Sequence, residues 1–169
     1  MAIFRLNHAV LYVRDVATSV AFYRDVLGFS YTEGGDAYPT AAFLRAPDST
    51  NDHDLGLFQI GAEAGPSGAG KTNVGLYHLA WEVDKLGDLT ELSAKLQAAG
   101  ALVGSSDHGT TKSLYGKDPD GLEFEIVWII PADLLTDADR EQGGIRRLDL
   151  DAEVAKYGQD ARSGVGISR

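Results

Sequence analysis

The feature that most constrains the fold of this chain is an internal repeat. Residues 6–13 read LNHAVLYV and line up with residues 76–83, which read LYHLAWEV. Both segments are short, apolar and rich in β-forming residues, so each predicts a strand. The repeat puts His8 and His78 at equivalent positions, and side chains two apart on a strand share a face. Two copies of one unit are therefore expected to bring two imidazoles into related places.

Each copy of the repeat continues in the same way after its first strand. An acid comes next, Asp15 or Asp84, and is predicted as a helix N-cap. Apolar residues then recur at helical spacing on one face, and Gly28 or Gly100 stands where a left-handed residue ends the helix. Short strand-like runs follow at 29–32, 41–44 and 55–60 in the first copy, and at 102–103, 113–115 and 124–130 in the second. Each half reads β-α-β-β-β, which predicts an α+β fold.

The predicted organisation is one domain of two paired βαβββ modules, whose curved mixed sheet encloses a metal cleft. Module one covers residues 2–60, a glycine-rich linker covers 61–73, and module two covers 74–130. The remaining residues, 131–169, read as an appended tail of mixed charge with weak helical character at 151–157. The sequence assigns the tail no role.

Composition narrows the classes of partner and of metal ligand. The 15 Lys and Arg residues stand against 25 Asp and Glu residues, a net charge of −10, which disfavours nucleic acid and anionic membrane as partners. Signal-peptide and membrane-spanning patterns are missing, so a cytoplasmic protein is the expectation. Because the chain has no cysteine, a metal must be held by His, Asp or Glu.

The linker contains a match to a phosphate-binding loop. Residues 65–72 read GPSGAGKT, which fits the pattern G-x-x-x-x-G-K-[ST]. A functional loop of this kind opens a helix whose N–H groups hold the phosphates, but residues 73–79 read as a strand. The favoured interpretation is a mobile connection formed by a glycine-rich sequence, and nucleotide binding is the weaker alternative.

Two imidazoles and a carboxylate are the strongest chemical signal in the chain. A single strand histidine is more often structural than a ligand, but two at equivalent positions of a repeat favour a shared role. Glu123 and Glu125 lie on one face of the last strand, in an otherwise apolar run, and each is a candidate carboxylate. Two neutral imidazoles and one carboxylate leave open positions that suit Fe(II) or Mn(II) with a chelating substrate and dioxygen, and they are also compatible with Zn.

These residues resemble the vicinal oxygen chelate superfamily of glyoxalases, bleomycin-resistance proteins and extradiol dioxygenases. The resemblance rests on the repeat, on the two strand histidines and on residues 118–125, which read DPDGLEFE, and it covers about residues 2–130. It implies that His8, His78 and Glu125 are the metal ligands. Glyoxalases are expected to show a further Glu ligand in the fourth strand of module one, and residues 55–60 contain none.

Finer matches resemble the one-domain, catechol 2,3-dioxygenase-like branch. They are HDLGLF at 53–58, DHG at 107–109 and KSLY at 112–115. The resemblance implies that His53 acts on the dioxygen side as a base or hydrogen-bond donor, that His108 is an acid in ring opening, and that Tyr115 hydrogen-bonds the substrate. From the residues alone, His53 also fits a turn, His108 a solvated loop, and Tyr115 the core.

The expected function is thus a metal-dependent extradiol dioxygenase that cleaves a small aromatic diol with O2. The implied cofactor is Fe(II), with Mn(II) or another divalent metal as substitutes, and the implied assembly is a homodimer. The alternative is a glyoxalase-like protein, or a module of the same fold that binds a small aromatic compound or drug without ring cleavage.

Overall fold

Both halves of the repeat fold into a four-stranded sheet with a helix against one side. The computed structural model describes residue 3, residues 5–142 and residues 144–164, so the predicted first residue of module one and residues 165–169 of the tail lie outside the described residues. The chain divides into two units. The first comprises residues up to 67 together with 119–121, and the second comprises residues 68–118 and 122 onward.

The first unit has the element order that the repeat predicts. Its elements are β1 (Ala9–Val13), α1 (Val16–Asp25), β2 (Ser30–Tyr31), β3 (Ala41–Arg45) and β4 (Leu55–Gln59). The strand order is β1-β4-β3-β2, in which β1 and β4 are parallel and the other pairs are antiparallel. Asp15 caps α1 by accepting the Thr18 N–H at 2.7 Å, as predicted.

The second unit repeats this order and adds the C-terminal residues. Its elements are β5 (His78–Glu82), α2 (Leu86–Ala98), β6 (Leu102–Asp107), β7 (Thr111–Lys117), β8 (Glu123–Ile129), α3 (Asp137–Glu141) and α4 (Leu150–Tyr157). The strand order is β5-β8-β7-β6, with β5 parallel to β8. The tail is tied to this unit, since the Trp128 indole N–H donates to the Ala161 carbonyl at 3.0 Å and the Gly87 N–H donates to that of Gln159 at 2.8 Å.

Alternation along the strands places one apolar face of each sheet in the core. In the first unit, α1 contacts β3 and β4, and the buried residues are Leu11, Val13, Val20, Tyr23, Leu44, Leu55 and Leu57. In the second, the buried set on β7, β8 and α2 includes Leu86, Leu89, Leu96, Leu114, Phe124, Ile126 and Trp128. Each such side chain contributes about 1.5–3 kcal/mol on burial, so these faces hold the sheets to their helices.

Several predicted details of the elements were wrong. Lys85, rather than Asp84, occupies the N-cap of α2, and the carboxylate of Asp88 accepts the Lys85 N–H at 3.0 Å. His8 lies one residue before β1 instead of within a strand, whereas His78 opens β5. Strands β6 and β7 are longer than predicted, because their polar residues pair in the sheet although they lack an apolar pattern. No helix within the described ranges is long and apolar enough to cross a membrane.

Candidate active site

The first unit brings His8 and His53 together. Their ring centroids lie 4.4 Å apart, and the Phe43 ring contacts His53 edge-on at 5.2 Å. His8 Nδ1 is 2.7 Å from Asn7 Oδ1, and His53 Nδ1 is 3.0 Å from a carboxylate oxygen of Asp52. With each Nδ1 engaged, each Nε2 is the ring atom left to act on a metal or substrate. Two of the four histidines that were predicted as site residues are therefore neighbours in the first unit.

A hydrogen-bonded loop holds His53 beside His8. The buried Asp54 carboxylate accepts from the Ala46 N–H at 2.9 Å, the Ser49 hydroxyl at 2.8 Å and the Asn51 side-chain amide at 2.7 Å. The same Asn51 amide donates to the carbonyl of Asn7, the neighbour of His8, at 2.8 Å. Asp54 and Asn51 were missed as supporting residues. The sequence signal for Asp54 was the presence of an acid directly after His53.

In the second unit, four predicted site residues form one continuous chain of contacts. His78 Nε2 lies 3.1 Å from Glu125 Oε2, and the Tyr115 hydroxyl lies 3.4 Å from Glu125 Oε1. The same hydroxyl is 2.8 Å from His108 Nε2. Strand pairing explains the arrangement, because Tyr115 is directly opposite Glu125 on β7 and β8, and His78 lies on the neighbouring strand β5.

The surroundings of Tyr115 keep its phenol protonated. Burial raises the pKa of Tyr115 above its ordinary value of 10.0, and the adjacent Glu125 carboxylate raises it further. At neutral pH the hydroxyl therefore has a proton to donate. Its two hydrogen-bond neighbours are the His108 ring, at 2.8 Å, and the Glu125 carboxylate, at 3.4 Å.

The structure distinguishes the two candidate carboxylates of β8. Glu123 Oε1 lies 3.3 Å from the Lys117 ammonium, whereas Glu125 reaches His78 and Tyr115. An acid already neutralised by an exposed lysine is a weaker candidate ligand than one facing an imidazole. Glu125 therefore has the better position of the two.

Strand register shows what stands in place of Glu125 in the first unit. Val10 pairs with Gly56 across β1 and β4, and the equivalent residue of the repeat, Ala80, pairs with Glu125 across β5 and β8. Gly56 thus occupies the register position of the carboxylate. A Cβ at Gly56 would lie 3.4 Å from a Val10 methyl and 3.5 Å from the Phe43 ring, so the first unit offers an apolar surface there.

The chemistry of these donors fits a divalent metal. Imidazole nitrogens and carboxylate oxygens are donors that divalent first-row metals take, and His78 Nε2 and Glu125 Oε2 lie 3.1 Å apart. The Nδ1 atom of His8 is engaged by an amide oxygen, as is typical of a ligating imidazole. Within either unit, the described residues gather no set of three His, Asp or Glu side chains around one point. The three-ligand set of His8, His78 and Glu125 draws on both units and stays a prediction.

The phosphate-loop match is not followed by a helix. Within residues 65–72, the N–H groups of Lys71 and Thr72 both donate to the Gly68 carbonyl, at 3.2 and 3.3 Å, and the N–H of Asn73 does the same at 3.3 Å. These donors are used inside a turn, and strand β5 comes next. The backbone cradle that a nucleotide phosphate needs is therefore not formed by this segment.

Comparison with known proteins places the chain in a family. Residues 5–126 match the family model described as the Glyoxalase/Bleomycin resistance protein/Dioxygenase superfamily. The chain belongs to this superfamily. In it, two βαβββ modules are paired, which agrees with the two four-stranded sheets and with the predicted fold class.

Relatives within the superfamily include enzymes of two kinds. Biphenyl-2,3-diol 1,2-dioxygenase 3 of Rhodococcus globerulus is 33% identical over 128 residues, which are 72% of this chain and 62% of that protein. Lactoylglutathione lyase of Neisseria meningitidis is 30% identical over 139 residues, 73% of this chain and 89% of that protein. The chain spans less than two thirds of the length of the dioxygenases that it matches.

Solved structures support the fold. A glyoxalase/dioxygenase from Nostoc punctiforme has a TM-score of 0.60 and 24% sequence identity, and the match covers 73% of this chain and 89% of that one. At this identity the likeness concerns the fold alone.

Proposed function

We propose that this protein is a metal-dependent extradiol dioxygenase that opens the ring of a catechol-type substrate with O2. The supporting observation is the contact chain from His78 through Glu125 and Tyr115 to His108. It joins two proposed metal ligands to a phenol and an imidazole that can bind a substrate hydroxyl and move its proton. A purely structural network would not need two of its members to be good metal donors.

The proposed ligand set is His8, His78 and Glu125, and the proposed metal is Fe(II), with Mn(II) or another divalent metal as a substitute. When bound, the metal supplies Lewis acidity, which lowers the pKa of a coordinated diol, and redox chemistry toward O2. The ligand set leaves positions for both oxygens of a diol, in keeping with two histidines and one carboxylate.

The remaining side chains bind, orient and exchange protons. Tyr115 donates a hydrogen bond from its hydroxyl to a substrate oxygen, and His108, whose Nε2 lies 2.8 Å from that hydroxyl, is the acid that gives a proton to the substrate in ring opening. His53, whose Nδ1 lies 3.0 Å from the Asp52 carboxylate, is a base or hydrogen-bond donor toward the dioxygen side. Each acid–base role is worth roughly 10²–10⁴-fold in rate.

One observation favours this proposal over glyoxalase chemistry. Glyoxalases are expected to show a Glu ligand in the fourth strand of module one, whereas Gly56 stands at the register position equivalent to Glu125. A three-ligand set leaves more open positions than a four-ligand set, which suits a chelating diol together with dioxygen. We propose a homodimer as the assembly, on the family resemblance alone.

A glyoxalase-like activity is the second candidate. It is favoured by the lactoylglutathione lyases, because the match covers 89% of their length. A protein of the same fold that binds a small aromatic compound or drug without chemistry is the remaining alternative.

The deciding experiment loads the purified protein with Fe(II) under argon and adds a panel of catechols and biphenyl diols. Oxygen uptake with a yellow ring-opened product supports the dioxygenase, and the same mixture kept anaerobic is the control. Turnover of a hemithioacetal of glutathione without oxygen uptake would establish the second candidate. Tight binding of a diol with neither reaction would indicate a protein that binds a small aromatic compound without chemistry.

A further inference from the structure

Residues of the C-terminal tail contact the turn that contains His108 and hold it in place. It joins β6 to β7 across residues 107–111, and the His108 N–H closes it by donating to the Thr111 carbonyl at 3.0 Å. The adjacent Lys112 side chain is only 2% exposed. A lysine this deeply buried needs charge partners, and those partners show what the turn is attached to.

Lys112 links the turn to α4. Its ammonium donates to Asp107 Oδ1 at 2.5 Å and to the Gly109 carbonyl at 3.3 Å, and it lies 3.6 Å from Glu153 Oε1. Burial raises the pKa of Asp107, but hydrogen bonds from Lys112 and from the Gly109 N–H outweigh burial, so the pKa lies below its ordinary value. Asp107 is therefore the charged partner of Lys112, and Glu153 brings a second acid from the tail.

Backbone contacts from the tail hold the same turn. Asp107 and Arg146 exchange two backbone hydrogen bonds of 2.9 Å, and the Gln142 side-chain amide donates to the Asp107 carbonyl at 3.3 Å. Gly109 has a φ of +83°, and a Cβ there would lie 2.5 Å from the carbonyl oxygen of Asp139. Only glycine lets the tail approach this closely.

The side chain that contacts the tail and the proposed catalytic side chain lie on opposite faces of β7. Side chains alternate along the strand, so Lys112 and Leu114 point to the buried, helical side while Tyr115 points to the other. His108 meets Tyr115 on that second face at 2.8 Å. The contact of Glu153 with Lys112 and the contact of His108 with Tyr115 therefore lie on different faces of the strand.

We infer that residues 137–142 and 144–157 form a positioning element, which holds the 107–112 turn so that His108 stays in hydrogen-bond contact with Tyr115. The positioning residues are Glu153 of α4 and, in the turn itself, Asp107, Gly109 and Lys112. The catalytic consequence rests on the proposed function, since it assumes that His108 and Tyr115 act on substrate. The hold of the tail on the His108 turn does not depend on any activity.

The test compares Gly109→Ala with Gly100→Ala. Both glycines have positive φ, +83° and +65°, so both substitutions strain the backbone, but an added Cβ at Gly100 meets nothing within 4 Å. Glu153→Gln, paired with Glu91→Gln on the exposed Glu91–Lys95 pair, is the milder test should Gly109→Ala fail to fold. The readouts are the ring-nitrogen NMR signals of His108, assigned by their loss in His108→Phe, and the steady-state parameters with a catechol.

Gly109→Ala is expected to shift the His108 ring signals and to lower kcat about tenfold or more with little change in KM, because a small misplacement of an acid–base group acts on turnover. Glu153→Gln is expected to shift the signals in the same direction by less, and both controls should match the parent protein. Unchanged His108 signals in folded Gly109→Ala, or in Glu153→Gln if the former does not fold, would overturn the inference. If the parent protein has no ring-cleaving activity, the proposed function fails and the NMR arm still decides this inference.

Discussion

The two units have the same topology and different chemistry. Each has the strand order first-fourth-third-second of its own repeat, with the outer strand parallel to the last. At one register position, however, the first unit has Gly56 and the second has Glu125. The apolar alternation that builds a sheet constrains its core face, and on the other face the two copies differ: Gly56 is buried beside Val10 and Phe43, whereas Glu125 is half-buried. The comparison shows that a duplicated fold does not imply a duplicated site.

The units also support their second histidine differently. The loop of His53 is held within the first unit by Asp54, which accepts three hydrogen bonds from residues at most eight positions away. The turn of His108 is held by Lys112 and by residues up to 45 positions further along, including Glu153. The first support is local, whereas the second depends on chain added after the repeat.

The largest effect is expected at the predicted metal ligands. Metal binding should weaken by more than about 100-fold in each of the variants Glu125→Ala, His78→Ala and His8→Ala. Even the loss of a residue that only supports a metal ligand lowers metal affinity by about 10–100-fold. Metal content after equilibration with Fe(II) is the measurement. Glu123→Ala is the matched control because Glu123 pairs with Lys117. Full metal content in all three variants would remove the basis of the ligand assignment.

Turnover should fall next most strongly when an acid–base residue is replaced. His108→Phe and His53→Phe are each expected to slow ring cleavage by roughly 10²–10⁴-fold while metal stays bound. Stopped-flow rates with one catechol, at matched metal content, compare the contributions of the two units directly. Rates equal to those of the parent protein would reduce either histidine to a structural residue.

Stability should respond to Lys112 more than to an exposed lysine. Lys112→Met leaves the acids around it without their buried cation and should lower the free energy of unfolding by about 3–5 kcal/mol. Lys95→Met, which breaks an exposed pair on α2, should leave it nearly unchanged. Urea unfolding of both variants is the measurement. Equal free energies of unfolding for Lys112→Met and Lys95→Met would show that the contacts between the tail and the turn contribute nothing to folding.

Acid should weaken the C-terminal segment through Asp139. Burial raises the pKa of Asp139, but hydrogen bonds from Thr136 and the neighbouring Lys156 ammonium outweigh burial and hold the pKa at about 2. Since this folded pKa is below the ordinary 3.8, the carboxylate stabilises the fold above about pH 4, and the contribution of roughly 2 kcal/mol is lost as the pH falls toward 2. Unfolding of the parent protein and of Asp139→Asn across pH 2–6 measures it. A pH dependence identical in both would contradict the assignment.

The smallest effect is expected in the linker. Lys71→Ala should leave ring cleavage and stability unchanged, because the N–H groups of residues 71–73 already donate within a turn. Titration with ATP and GTP, followed by fluorescence, checks the variant against the parent protein. Saturable nucleotide binding that disappears in the variant would revive the phosphate-loop interpretation.

The sequence by itself determined the repeat, the βαβββ order and most strand and helix positions, because alternation and helical spacing record which face of each element is buried. It also singled out four histidines and two carboxylates. The residue pattern alone left Glu123 and Glu125 open, and the family resemblance implied Glu125. The tertiary structure adds their different contacts, a histidine for Glu125 and a lysine for Glu123, on the two strands next to β8. Likewise, only tertiary contacts showed that the tail grips the His108 turn through Lys112, because pairing over more than forty residues leaves no periodic trace in a sequence.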